Sequence, residues 1–572
     1  MSFLLKTVSS QFKHPAGRKE VDLNSVEISK ASALRNEPFS FQVLYRAETK
    51  SRPCHPVSIS ILGENIEIET YRVDQVPITQ AANLFNEEGY EGNEPGLYPD
   101  ILSQRPAVPQ IESIQNATEL SHFEIGVSNL LNALSNDLQS LWVTLNPNAK
   151  LIEAKTYRIE IRMTSLLSGE ILEEAEFCFE VIDALLPKSN VYYTNWIYED
   201  AICDTFGVEL YGKEFYRIFD DYLRNAAKHG QNTLLLPAFT PPLDTSIGKE
   251  RRNVQLTDVR LKNGAWDFGF DRMKEFIDHA KNCGILFFEH SHLFSQWGAE
   301  HAPNIYDTEN NRIFGAETDA TGEEYQTFLH AYLKAFLAFA KKEKIDNNLI
   351  FHISDEPSLS HLPAYEKAMH SVAEQLEHYP IADALSNVEF YEKGLVKQPV
   401  TAIDRSDEFY RSGASFWVYY TGGPHHKKAS NRLITNTAGR TRVLGLQMYK
   451  YKALGFLHWG YNYCYDRLTN GTFDPRSNPC GYKQYPGVAH LAYPTYGNPG
   501  CYVASSVREK HMQEAFLDLR ALNLLESMIG REKTIFLCEE ILKEPIDCRT
   551  IPRGNELFSL REKINAEIKK YI

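Results

Sequence analysis

The chain has no uninterrupted apolar run of the roughly 18 residues that a membrane-crossing helix needs, so no membrane span is expected. It has no block of lysine and arginine, and its net charge is -15. That balance argues against a nucleic-acid partner, because phosphate binding needs clustered positive charge. Cysteines number nine, an odd and scattered set without a CxxC pair, which excludes a disulfide framework or a zinc ribbon. Reduced thiols in a cytoplasm are the expectation. The opening residues, Met1-Ser-Phe-Leu-Leu-Lys6, lack the long apolar core of a signal peptide, and this too points to a cytoplasmic location. GxGxxG, Walker, HExxH and GxSxG patterns are absent, as are solenoid repeats and low-complexity tracts. Dinucleotide, phosphate-loop, zinc-protease and serine-hydrolase chemistries lose their signatures with them.

What is present is length and rhythm. At 572 residues, 43% of them hydrophobic, the chain is long enough for two or three domains. Residues 1–188 alternate apolar with polar, as in Phe39-Ser-Phe-Gln-Val-Leu-Tyr45, Val57-Ser-Ile-Ser-Ile-Leu62, Tyr157-Arg-Ile-Glu-Ile-Arg162 and Phe177-Cys-Phe-Glu-Val-Ile182. Val26–Ser29, Ile66–Tyr71 and Leu141–Leu145 carry the same pattern. Period-two alternation predicts strands with one wet face, and many of them predict a β-sandwich. Residues 83–120, rich in Gly, Pro, Asn and Glu, predict a long loop. After Leu186-Pro-Lys-Ser189 the rhythm becomes strand, helix, strand, helix. Strands are expected at Tyr192–Trp196, Thr233–Phe239, Ile285–His290, Leu349–Ile353, Ala382–Leu385, Val400–Ile403, Ser415–Tyr420 and Gly455–Trp459. Helices are expected at Phe215–Ala227, Phe270–Lys281, Tyr325–Lys342 and Tyr365–Glu377. Such a repeat over residues 189–505 predicts an α/β fold, a (β/α)8 TIM-like barrel. Residues 506–572 predict a small helical and β extension: a helix over Arg508–Leu525, a strand at Thr534–Leu537 and a final helix over Phe558–Tyr571.

The most informative stretch is Asn348-Leu-Ile-Phe-His-Ile-Ser-Asp-Glu-Pro-Ser358. A buried apolar run ends in adjacent carboxylates, Asp355 and Glu356, and Pro357 then suits the opening of a helix. In α/β folds, ligands bind where parallel strands end. Two close carboxylates resist ionising together, so their pKa values separate and one can hold a proton near neutrality. The plainer alternative is that Ser354 or Asp355 caps the next helix and Glu356 is solvated. Neighbouring acids cannot easily flank a glycosidic bond in the ordinary way. They suit the exception in which a 2-acetamido oxygen of the substrate attacks C1. One carboxylate then orients the amide, and the other exchanges a proton with the leaving oxygen and with water.

His352-Ile-Ser-Asp-Glu-Pro-Ser358 resembles the active-site strand of glycoside hydrolase family 123. Ser291-His-Leu-Phe-Ser-Gln-Trp-Gly298, Asp383-Ala-Leu-Ser386, Ser430-Asn-Arg432, Gly455-Phe-Leu-His-Trp-Gly-Tyr-Asn462 and Asp518-Leu-Arg-Ala-Leu-Asn-Leu-Leu-Glu526 agree with that resemblance, as do Gly96–Asp100 and Leu141–Thr144. It implies an amino-terminal β-sandwich, a catalytic barrel and a retaining β-N-acetylgalactosaminidase without a cofactor. It assigns Asp355 to the acetamide and Glu356 to acid/base work. Relatives often carry Gly-Asp where this chain has Tyr485-Pro-Gly-Val-Ala-His490, so the sugar preference can differ. Rival readings are a glycosidase of another sugar specificity and a non-catalytic carbohydrate-binding protein.

Candidate substrate-binding residues follow from the barrel face. Trp417, Tyr419 and Tyr420 end one strand, and Trp459, Tyr461 and Asn462 end another. Tyr419 and Tyr420 point opposite ways, so at most one faces inward. His292 is a candidate hydrogen-bonding group, and Asn195 and Trp196 are candidate pocket walls. His290 and His292 have a spacing that can bind metal, but no third ligand accompanies them, so no metal is expected. His352 is expected to satisfy buried polar groups. His425-His-Lys-Lys428 reads as an exposed loop, able to meet an anionic part of a substrate or simply solvated. The expected partner is a carbohydrate substrate, a glycan or glycoconjugate, and the sequence sets no oligomeric state.

Overall fold

A computed structural model describes residues 2–18, 22–48, 53–80, 89–92, 94–104, 108–112, 124–135, 137–241, 251–422, 429–466, 471–482, 485–496 and 500–572. The chain forms two compact units. One comprises Met1–Ser189, Ser430–Tyr449 and Ala504–Ile572, and the other comprises Asn190–Ala429 and Lys450–Val503. The sequence reading divided the chain into three consecutive stretches. The units instead interleave: 430–449 leaves the expected catalytic stretch, and 504–572 joins the amino-terminal residues.

The first unit is rich in sheet. Five strands run in the order Ser2–Ser9, Phe39–Glu48, Gln139–Leu145, Ile68–Ile78 and Gly96–Ser103. Six more run Lys30–Leu34, Ile171–Ile182, Thr156–Ser165, Cys54–Glu64, Glu124–Leu134 and Val108–Glu112. Alternation does the work: in Tyr157-Arg-Ile-Glu-Ile-Arg-Met163 the odd positions are buried. Apolar faces of both sheets feed one core, with Phe41, Val43 and Val143 from the first and Ile59, Ile161 and Phe179 from the second. Phe41 and Phe177 stack at 4.4 Å between centroids.

Three local expectations change. The strand expected at Val26–Ser29 begins at Lys30, because a 3-10 turn over Leu23–Ser25 occupies the approach. The loop expected over 83–120 contains Gly96–Ser103, where a register irregularity opposite Asp74 and Gln75 accommodates Pro99 in the ladder. It also contains Val108–Glu112. The strand expected at Thr534–Leu537 lies inside helix Arg531–Leu542, where Thr534, Cys538 and Leu542 are buried at every fourth residue, a helical period.

Buried charge ties the carboxyl-terminal residues into this unit. On helix Val507–Ile529, Arg508 is fully buried and its Nε and Nη2 donate to Asp100 at 2.9–3.0 Å. Arg442 pairs with Asp518 and Glu514, and Arg561 pairs with Glu37 and Asp518.

The second unit is built on short parallel strands. Tyr192–Asn195, Gly455–His458, Trp417–Tyr419 and Val400–Ala402 form one parallel sheet in that order. Thr233–Leu236, Phe287–His290 and Leu349–Phe351 form another. Parallel bridges Phe351–Ile381 and Ala384–Val400 link the two through residues 381–384. Asn232 N–H also donates to Tyr193 O at 3.1 Å. Helices Lys213–Lys228, Asp271–Asn282, Glu323–Lys342 and Leu362–Leu376 intervene. Each buries an apolar stripe, as Phe215, Ile218, Phe219, Tyr222 and Leu223 do on the first. Gly455 permits a close approach, since a Cβ there would come within 2.7 Å of the Trp417 ring. Trp417 consequently stacks on Tyr192 at 4.7 Å. No helix among the described residues is long and apolar enough to cross a membrane.

Breaking a buried ion pair strands a charge in a dry interior, at a cost of about 3–5 kcal/mol. Asp100→Ala should therefore lower thermal stability strongly. Glu48→Ala, which removes the exposed partner of Arg46, should cost less than about 1 kcal/mol. Comparing the two melting curves checks both.

Candidate active site

The turn carrying the acid pair hangs between two neighbouring segments. Beyond strand Leu349–Phe351, His352 O accepts from Leu293 N, Ile353 O from Phe294 N and Asp355 O from Trp297 N, at 3.0, 3.0 and 2.8 Å. On the other side Glu356 N–H donates to Ala384 O at 2.9 Å. Ser354 Oγ donates to Ser295 O at 2.7 Å. The next helix does not open at Pro357. Ser358 and His361 form a capping box around a 3-10 turn, and helix Leu362–Leu376 follows with proline in its first turn. Glu356 has φ +44°, a left-handed conformation costly for a side chain with a Cβ.

Beneath this turn lies a buried charged network. His352 Nε2 meets Glu289 Oε2 at 2.8 Å, and its Nδ1 lies 3.6 Å from Asp383 Oδ1. Trp196 Nε1–H also donates to Glu289 Oε2, at 3.2 Å. Asp383 accepts the amides of Ile353 and Ser354 at 2.8 and 3.2 Å, and the Tyr365 hydroxyl. Burial opposes a charge on His352, but the two carboxylates beside it, Asp383 and hydrogen-bonded Glu289, outweigh it and raise the imidazole to about 10. That balance favours the imidazolium form, and Asp383 links its surroundings to the backbone that leads into the acids.

Burial, and then the adjacent Glu356 charge, push the Asp355 carboxyl well above the usual carboxylate range; His352 pulls the other way and Asp383 adds to the rise. Tyr419 donates its hydroxyl to Glu356 Oε1 at 2.9 Å. Burial and the Glu356 charge hold that phenol well above its ordinary range, so it remains a donor.

The structure sorts the other candidates. Tyr419 reaches the acid pair, while Tyr420 packs on Phe456 and His458. Trp196 and His292 join the network: His292 stacks on His352 at 4.9 Å, and Trp196 meets both rings edge-on. Both are buried, which places Trp196 beneath the acid-bearing turn and not on an open wall, and places His292 against His352. Trp459 is half-buried and packs against Tyr482 and Tyr463. Four residues go elsewhere. Trp417 sits at the start of its strand, against Tyr192, away from the end that carries Tyr419. Asn195 exchanges hydrogen bonds with Gln231. Tyr461 accepts from Asn225 of helix Lys213–Lys228. Asn462 spends its amide on the backbone of Tyr198, whose ring, with Tyr463 and Tyr465, surrounds Arg251. His290 bonds Tyr332 Oη and packs on Phe336, so it does not converge with His292. Residues 425–428 lie outside the described residues. Gly422 lies against the Tyr485 ring, bringing the 485–490 loop to the end of the Tyr419 strand. Glu289 and Asp383 were within recognised stretches, but their convergence on His352 required the fold.

A family model described as "Glycoside hydrolase 123, catalytic domain" matches residues 196–525. The chain is therefore a glycoside hydrolase. It belongs to glycoside hydrolase family 123. Among solved structures, a family 123 glycoside hydrolase from Clostridium perfringens, described for glycolipid glycan hydrolysis, aligns with TM-score 0.69 at 13% identity, over 100% of this chain and 97% of that one. An endo-1,4-beta-D-xylanase from Clostridium thermocellum gives TM-score 0.32 at 10% identity, over 90% and 98% of the two chains. A beta-glucuronidase from Ruminococcus gnavus gives 0.30 at 10%, over 90% and 97%. The last two are too distant to bear on this fold. No curated protein matches.

The imidazolium makes a pH prediction. Because folding raises His352 from 6.5 to about 10, its contribution is full below about pH 6.5 and is lost as pH rises through about 10. The difference in Tm between the protein and its His352→Gln variant should be largest at pH 6 and shrink steadily toward pH 10. A pH-independent difference would contradict the charged state.

Proposed function

We propose that this glycoside hydrolase is a retaining exo-β-N-acetylhexosaminidase, acting on terminal N-acetylgalactosamine by substrate-assisted catalysis. The carrying observation is the arrangement of Asp355 and Glu356: consecutive carboxyls on one turn, electrostatically opposed, with a phenol on the second. The parallel strands and their linking bridges support a (β/α)8 barrel with the acids at its carboxyl end, and the two amino-terminal sheets support a β-sandwich. We carry the domain reading forward in amended form, with 430–449 and 504–572 assigned to the sandwich side.

In this mechanism the resting pair holds one proton, seated at Asp355. An acetamide N–H that binds Asp355 donates to its charged form and so favours ionisation there. The proton is then available at Glu356. The acetamide oxygen attacks C1 as the bond to the leaving oxygen breaks, and Glu356 protonates that oxygen. The Asp355 carboxylate balances the charge of the cyclic oxazolinium. Water next attacks C1, Glu356 takes its proton, and the ring opens to a product of unchanged configuration. Tyr419, bonded to Glu356, can turn to the acetamide oxygen and aim it. No cofactor or metal takes part. The substrate is a glycan or glycoconjugate; the Clostridium perfringens relative's description makes a glycolipid glycan a natural first candidate.

A second reading keeps the chemistry and changes the sugar. Its support is the 485–490 loop, which lies at the end of the Tyr419 strand and carries no acidic residue.

On an aryl β-N-acetylgalactosaminide, Glu356→Gln should lower kcat by about 100-fold or more. Asp355→Asn should lower it by about 100- to 1,000-fold. Proton NMR should show the β-anomer first, and a thiazoline mimic of the cyclic intermediate should inhibit. Wild-type rates in either variant, or initial α-anomer, would refute the mechanism. A better rate on N-acetylglucosaminides would select the second reading. Asp355→Asn should also stabilise the protein, by on the order of 1 kcal/mol at neutral pH. A raised folded pKa means stability is lost as pH climbs above the ordinary carboxylate value, and the amide escapes that loss.

A further inference from the structure

We propose that Trp297 is the platform for the leaving-group sugar, a subsite next to the acid pair. The inference rests on the catalytic reading of Asp355 and Glu356 given above. Residues 291–294 are buried, as are Gly298 and Ala299, yet Trp297, the largest apolar side chain of the segment, is 51% exposed. Burial alone would place such a ring inside. Trp142, Trp196, Trp266, Trp417 and Trp459 each have a ring partner. Trp297 has none among the described residues.

Its backbone is held with care. Trp297 N–H donates to Asp355 O at 2.8 Å, so the backbone of the acid pair itself fixes the tryptophan. The residue has φ +59° and is followed by Gly298 at +138° and Ala299 at +58°. A left-handed conformation is uncommon for a bulky residue and persists where surroundings over-determine it. Gly298 is required by a close approach, because a Cβ there would sit 2.9 Å from the His361 ring. That contact presses the 297–299 turn against the 358–361 turn, which directly follows the acids. Leu359, 45% exposed, adds a second apolar group on that turn.

The established class supplies the occupant. A glycoside hydrolase must hold a group on the far side of the bond it breaks, and the apolar face of a pyranose offers C–H bonds to a flat, electron-rich ring. An indole also presents large contact area at low entropic cost. Trp297 therefore determines which leaving groups the enzyme accepts, without touching the proton transfers.

The test compares a β-N-acetylgalactosaminyl disaccharide with the matching methyl glycoside, whose leaving group is too small to stack. Trp297→Ala should lower kcat/KM for the disaccharide about tenfold, equal to one aromatic stacking contact. It should leave the methyl glycoside within about twofold, and Trp297→Phe should recover part of the loss. In the Glu356→Gln background, disaccharide binding should change tryptophan fluorescence, and the change should vanish when Trp297 is also replaced by Phe. Equal losses on both substrates, no loss on the disaccharide, or a fluorescence change that survives Trp297→Phe would overturn the subsite. Should Trp297→Ala fail to fold, the Phe variant carries the same comparison. Full activity of Glu356→Gln alone would instead refute the catalytic reading, so the two failures are distinguishable.

Discussion

The candidate site rests on one histidine held between two carboxylates where water does not reach. His352 lies between Glu289 and Asp383, from different strands and loops, and each carboxylate is bound by further donors. A buried ion is costly unless paired and hydrogen-bonded, so the group is held in one arrangement. Asp383 extends that arrangement to the amides of Ile353 and Ser354. The turn carrying Asp355 and Glu356 thereby receives a fixed frame from below.

Strain collects around that frame. Glu356, Trp297 and Ala299 all adopt left-handed backbone conformations, and the hydrogen bond from Trp297 to Asp355 joins the two turns concerned. Each conformation is unfavourable alone. Together they are stabilised by parallel backbone bonds from Leu293, Phe294 and Trp297 to the strand extension. A turn that crowds two carboxyl groups in strained backbone needs such support to hold one arrangement.

How much of this was readable in the sequence depended on range. Asp355 and Glu356 stood out as candidates because an apolar run is followed closely by an acid pair. Tyr419 and Tyr420 could be separated because alternation is a local rule, and the ring that reaches Glu356 belongs to Tyr419. Trp417 was misjudged by two residues along a strand, a shift that moves a side chain from the carboxyl end to the opposite end. Tyr461 and Asn462 lie past a strand, where no period applies, and their partners are set by a helix and a loop far away in the chain. Glu289 and Asp383 carried no local sign of their meeting at His352. Thr534–Leu537 read as a strand because a β-branched pair at Thr534 and Ile535 outweighed a helical stripe that becomes clear only over longer range.

The interleaving of the first unit bears on how the molecule is made. Its amino-terminal sheets emerge early during synthesis, yet Arg508 must come to Asp100 and Arg561 to Glu37 from the far end of the chain. Contacts of such long sequence separation form late. Until the final helices have left the ribosome, Asp100 and Glu37 lack these arginine partners. The first unit is therefore one whose buried ion pairs can close only after the whole chain has been made.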